Sequence, residues 1–162
     1  MAAPTEESTA AEESTAAGIY GVIVGSAVMV SAHPDSAIAL DIAVLVTLSI
    51  YWVAERYSRL VAERIHSGHR PTWAHVRRAM ATGWEMVTAT LLPLLVLSSM
   101  SLLGADLDTA VLTALGCSTV ILCVAGWRMG QDGKLTLAER LVSTTVAGAF
   151  GVVMVVLKTL LH

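Results

Sequence analysis

The stretch ERYSRLVAERIHSGHRPTWAHVRRAMATG, residues 55–83, decides how this chain is read. It carries Arg56, Arg59, Arg64, Arg70, Arg77 and Arg78, while the sequence on either side is apolar for long enough to cross a bilayer. Lys and Arg are in excess on the cytoplasmic side of short membrane loops, so this connection is expected in the cytoplasm and orients every other span.

Composition agrees. The 162 residues are 55% hydrophobic and only 14% charged, against about a quarter charged in soluble domains. Four of the 13 acidic residues, Glu6, Glu7, Glu12 and Glu13, fall in the first seventeen positions with no basic residue among them. The net charge of −3 is therefore a property of that tail. Residues 1–17 are rich in Ala, Ser, Thr and Glu with little to bury, and a disordered acidic tail is expected there. A secretory signal opens with a basic region, so the first apolar stretch is read as a retained helix.

Runs able to cross about 30 Å of hydrocarbon number five. They cover about Gly18 to Ala32, Ser36 to Tyr57, Ala79 to Leu103, Leu107 to Trp127 and Leu137 to Leu161. The expected fold class is an all-α polytopic membrane bundle over residues 18–162, with a short basic cytoplasmic hairpin at 57–83. Five spans put the N-terminus in the cytoplasm and the C-terminus outside. The connection holding Arg128, Lys134 and Arg140 then also falls inside, as do Trp52, Trp73, Trp84 and Trp127 at the interface favoured by amphipathic rings. A four-span count, with the short first stretch lying in the interface, is the alternative.

Local signals extend beyond the spans. Val53-Ala54-Glu55-Arg56 and Val61-Ala62-Glu63-Arg64 repeat eight residues apart, and Glu55 with Arg59 makes a favourable i,i+4 pair, so the second helix should continue past the membrane. Gly68 is a stop and Thr72 a cap for the next helix. Thr136 with Glu139 fits a capping box opening the last span. In the first span Gly18, Gly21 and Gly25 share one stripe, with Gly21 and Gly25 in the GxxxG arrangement; Gly148 and Gly151 make a comparable stripe ending at Lys158. Either stripe serves packing within the chain or a dimer seam.

Candidates for chemistry are the ionisable groups inside the spans. A charge in hydrocarbon costs a few kcal/mol and usually marks a pathway. Asp41 is an outer candidate, and Glu55 and Glu85 an inner pair able to bind a cation or exchange a proton. The structural alternatives are that Arg59 satisfies Glu55 and that Glu85 reaches interfacial water. His33, His66, His69 and His75 lack metal-ligand spacing. Cys117 and Cys123 lie about 9 Å apart along one helix on different faces, too far to bridge. No metal or cofactor is expected. Arg59, Arg64, Arg70, Arg77 and Arg78 either bind anionic headgroups or simply set topology. No Walker loop, GxSxG, HExxH or dinucleotide fingerprint occurs, so an enzyme is not expected, nor is a nucleic-acid partner.

Gly18-Ile19-Tyr20-Gly21-Val22-Ile23-Val24, Ala54-Glu55-Arg56-Tyr57 leaving the second span, and Leu92-Pro93-Leu94 in the third resemble the vacuolar iron transporter family. Tyr20 stands where that family has an acidic residue, and the arginine hairpin stands where it has a long Glu- and Met-rich metal-binding domain. The resemblance implies a related five-helix dimeric architecture, and ferrous iron transport is not carried over. The functional expectation is a small ion or solute transporter or channel in a bacterial plasma membrane, with cation or proton, lipid and a second copy as partners. The alternative is a non-transporting accessory or assembly subunit.

Overall fold

The structure, a computed structural model, describes residues 6–32, 34–67, 84–132 and 136–161. Among the described residues five helices make up the order: α1 (Glu6–Ser31), α2 (Ala37–Ser67), α3 (Glu85–Leu102), α4 (Leu107–Asp132) and α5 (Leu137–Leu161). Each contains a segment of at least 18 residues long and apolar enough to cross a membrane. No strand occurs among the described residues.

Helix α1 begins at Glu6, twelve residues before the boundary that the apolar run sets. Residues 6–17 are therefore helical, although the sequence reads as a disordered tail. The alanines there are strong helix formers, and the glutamates sit at the positive end of the helix dipole, where negative charge is favourable. Helix α2 ends at Ser67, immediately before Gly68. The second half of the expected hairpin, with Arg70, Thr72, Arg77 and Arg78, lies outside the described residues, as do His33, His69 and His75.

The ends of α4 and α5 follow from local chemistry. Asp106 accepts the Thr109 N–H and hydroxyl, both at 2.9 Å, capping α4. At the start of α5, Glu139 Oε2 accepts the Thr136 N–H at 2.8 Å while Thr136 Oγ1 accepts the Glu139 N–H at 3.4 Å, a reciprocal capping box. Helix α3 closes with Gly104 at φ +84°, where the Gly104 N–H donates to Ser101 O and the Ala105 N–H to Met100 O. That left-handed turn needs a residue without Cβ.

Contacts set the helix directions. Gly18 lies between Glu85 and Ala89, Gly21 faces Met86 and Gly25 faces Thr90, so contacts advance together from Gly18 and Glu85 to Gly25 and Thr90 and α1 and α3 run parallel. Gly126 faces Thr144, Gly148 faces Cys123 and Gly151 faces Thr119, so α4 and α5 run antiparallel. Trp52 against Trp84 at one end and Asp41 against Ser98 towards the other make α2 antiparallel to α3.

Helix α1 is central, touching all four others. Met29, Leu40, Leu48, Met86, Leu97 and Leu115 form the middle of the core. On α2 the buried stripe is Ala37, Leu40, Val44, Leu48, Trp52 and Arg56, while Ile38, Ile42, Val46 and Ile50 face outward. Outward apolar side chains of this kind suit lipid rather than water. Helix α5 is the most peripheral: only 11% of its spanning segment is buried, against 39% for α1.

Candidate intramembrane charge sites

Asp41 stands in the second turn of α2, whose first turn is tied by Ser36 Oγ accepting the Ala39 N–H at 3.2 Å. Its carboxyl reaches across to α3, where the Ser98 hydroxyl donates to Oδ2. Oδ1 is buried and has no hydrogen-bond partner. Ser98 is the residue that sequence reading passed over. Its neighbour Ser99 instead donates to Leu95 O at 2.6 Å, in the previous turn of its own helix. A carboxyl with one oxygen anchored and one unanswered has spare capacity for a proton or a cation.

Glu55 lies at the opposite end of the bundle. Arg59 Nη2 donates to its Oε1 at 2.6 Å, one turn along α2. Both residues line a cavity of about 530 Å³, walled chiefly by Ala16, Ala17, Tyr20, Tyr51 and Met86. The rings of Tyr20 and Tyr51 meet at 5.8 Å between centroids, joining α1 to α2 there. The wall is thus aromatic and aliphatic, with the ion pair as its polar feature.

Glu85 opens α3 and is exposed. It is at the same end of the bundle as Glu55, since Trp84 beside it stacks on Trp52 at 5.0 Å. Glu85 is not part of the cavity wall. In the first turn of a helix its charge meets the positive end of the dipole.

The glycine stripes are points of close approach within the chain. A Cβ on Gly21 would enter the Met86 backbone, and one on Gly25 would come 2.7 Å from Thr90 Cγ2. Gly18 is looser, with Ala89 Cβ at 3.6 Å. Gly148 and Gly151 admit Cys123 and Thr119 in the same way. Thr144 and Thr145 donate to Arg140 O and Leu141 O, the preceding turn of α5. Cys117 and Cys123 are free thiols.

Among the described residues two cations are buried. Arg56 is 7% exposed and Lys158 is 5% exposed. Lys158 closes the small-residue stripe of α5 and was visible as such. Arg56 looks in sequence like one more member of the arginine cluster, and the signal that separates it is its four-residue spacing from Trp52 on the apolar stripe. Arg64, by contrast, is exposed. Among the described residues no group of three His, Cys, Asp or Glu side chains is placed to hold a metal ion.

The fold thus defines a class: the described residues form five helices that each suit a membrane span, with no strand among them, which suggests a multi-pass membrane protein. No protein-family model, curated protein or solved structure matches the chain.

Proposed function

We propose that this chain is a small ion or solute transporter or channel of the plasma membrane, of bacterial type, with its N-terminus and arginine-rich connection in the cytoplasm. The observation that carries the proposal is the Asp41 carboxyl inside the span of α2, held by Ser98 through one oxygen with the other buried and unpartnered. Intramembrane carboxylates are expensive and mark ion or proton pathways. Asp41 is the outer group. Glu55, at the cavity between α1 and α2, and Glu85, at the entrance of α3, are the inner ones. The bundle has little interior of its own, so a pathway along an axis between two copies is the simplest arrangement. The resemblance to the vacuolar iron transporter family is consistent with a five-helix dimer and contributes no substrate.

A second reading is a non-transporting accessory or assembly subunit. What favours it is the largely uncovered apolar face of α5, which a partner's helix would fit.

Purified protein in liposomes separates the two. Transport predicts a cation-dependent or pH-dependent flux above that of empty liposomes, abolished by Asp41→Asn and by Glu85→Gln. Flux equal to that of empty liposomes with every ion tried would remove the transport reading and leave the accessory one.

A further inference from the structure

The cavity at the Glu55 end of the bundle has the make-up of a ligand site. Its volume of about 530 Å³ falls within the range of about 300–1,000 Å³ usual for small-molecule pockets, which are apolar and aromatic with a few placed polar groups. Along α2 its wall passes from Tyr51 through Ala54 and Glu55 to Ser58 and Arg59, the spacing of one helix face. An aromatic floor thus leads to a charged rim within two turns. The cavity opens sideways: Tyr20, Tyr51, Ala54 and Ser58 are exposed, and the adjoining Ile50, Val53 and Tyr57 are exposed as well. In a chain of membrane spans, a side opening among apolar residues faces lipid.

Arg59 leans back one turn, as helical side chains do, and its Nη2 meets Glu55 Oε1 at 2.6 Å. A negative and a positive group therefore stand side by side at one level of the wall, both partly exposed. A metal ion or a simple anion would answer one of these charges and be repelled by the other. A zwitterion answers both. We propose that this cavity is the headgroup site of an amine-bearing phospholipid, of the phosphatidylethanolamine class. Its ammonium lies against the Glu55 carboxylate and its phosphate against the Arg59 guanidinium, whose fork suits phosphate oxygens. The acyl chains leave through the side opening along the apolar face of α2. A primary ammonium brings N–H donors to the carboxylate, which a quaternary one lacks. Tyr20 and Tyr51, in contact at 5.8 Å, are the amphipathic rings expected at headgroup level. The cation that Glu55 holds is then the lipid's own ammonium. This site requires the chain to lie in a bilayer and does not depend on its being a transporter.

The test is lipid binding by the full-length, delipidated protein in one detergent, followed by native mass spectrometry and thermal unfolding. Phosphatidylethanolamine, phosphatidylcholine and diacylglycerol with the same acyl chains are titrated in turn. Both phospholipids carry the phosphate, so their difference reads the primary amine. Phosphatidylethanolamine should bind saturably and about tenfold or more tighter than phosphatidylcholine, the effect of a charge-assisted hydrogen bond. Diacylglycerol should bind most weakly. Glu55→Gln should abolish the preference between the two phospholipids, and Arg59→Gln should bring both towards diacylglycerol. Ala54→Phe fills the cavity from an exposed position and should reduce phosphatidylethanolamine binding to the diacylglycerol level. Asp108→Asn, an exposed carboxylate at the start of α4, should leave the preference unchanged.

The site is overturned if the wild type binds the two phospholipids alike, if Glu55→Gln keeps the preference, or if Asp108→Asn loses it. Should Glu55→Gln fail to fold, Ala54→Phe decides, and binding equal to the wild type there overturns the site. Glycerophosphoethanolamine, which has the zwitterion without the chains, should bind far more weakly than the lipid. Equal binding would make this a site for a soluble zwitterion and overturn the lipid assignment. Binding is read without any flux, so the two readings fail separately. A lipid preference in a protein that transports nothing keeps this site and removes the transport reading, and flux without a lipid preference does the reverse.

Discussion

The Ser98 hydroxyl on α3 donates to Asp41 Oδ2 on α2, joining residues 57 positions apart and tying two helices together near one end of the bundle. The two changes that break this contact differ in kind. Ser98→Ala leaves both carboxyl oxygens without a partner and should lower stability by about 1–3 kcal/mol, the cost of an unsatisfied buried acceptor. Asp41→Asn still offers Ser98 an oxygen and should melt closer to the wild type while losing the ionisable group. Thermal unfolding in one detergent measures both, and a Ser98→Ala melt equal to the wild type would mean that the hydrogen bond contributes nothing.

Gly21 and Gly116 make a matched pair for helix packing. A Cβ at Gly21 would run into the Met86 backbone, whereas one at Gly116 meets nothing within 4 Å. Gly21→Ala should therefore push α1 off α3, at a cost of about 1–3 kcal/mol for overpacking. Gly116→Ala should be neutral or gain up to about 1 kcal/mol from helix propensity. The order of the two melting temperatures checks the α1–α3 contact without any assay of function.

Asp106 lies between the spans of α3 and α4, and its carboxyl is held below the usual carboxylate range by the Thr109 N–H and then by the Thr109 hydroxyl. A carboxylate depressed in the folded state contributes stability that is complete above its unfolded value and disappears as pH falls through the folded one. The cap is therefore fully present above about pH 4 and lost in more acid solution. Asp106→Asn keeps a capping oxygen and should flatten that acid dependence. An unfolding profile between neutral pH and strong acid that is identical in the two proteins would show that the cap charge is without effect.

Topology follows from single cysteines in a background lacking Cys117 and Cys123. Sites introduced within Ser67 to Arg70 and at His162 should react with an impermeant reagent from opposite sides of the membrane. The first is expected on the cytoplasmic side, by the excess of arginine around it. Labelling of both from one side would remove the five-span arrangement.

The helices were legible in the sequence to the extent that their signals are local. Length and apolar composition mark the five segments, Thr136 with Glu139 marks the start of α5, and Glu55 with Arg59 pairs at helical spacing, as the 2.6 Å contact has it. The start of α1 was not legible, because residues 6–17 carry no apolar face and only their alanines and glutamates favour helix over coil. The partner of Asp41 was not legible either. Ser98 and Ser99 are equivalent by composition, and which of them turns to α2 depends on how α3 is rotated in the bundle.

Sequence alone therefore determined that this is a chain of long apolar helices, how many there are, and which segment concentrates the arginines, because each property is a sum over neighbours along the chain. Only the tertiary structure decided which charge is buried. Arg56 and Arg59 are three residues apart on one helix, yet Arg56 is enclosed in the core stripe while Arg59 stands partly exposed on Glu55. The reason is rotational: a shift of three residues falls about 60° short of a full turn, enough to carry Arg59 from the middle of the buried stripe to its edge. What lies opposite each face is supplied by helices distant in sequence, and no local pattern reports it.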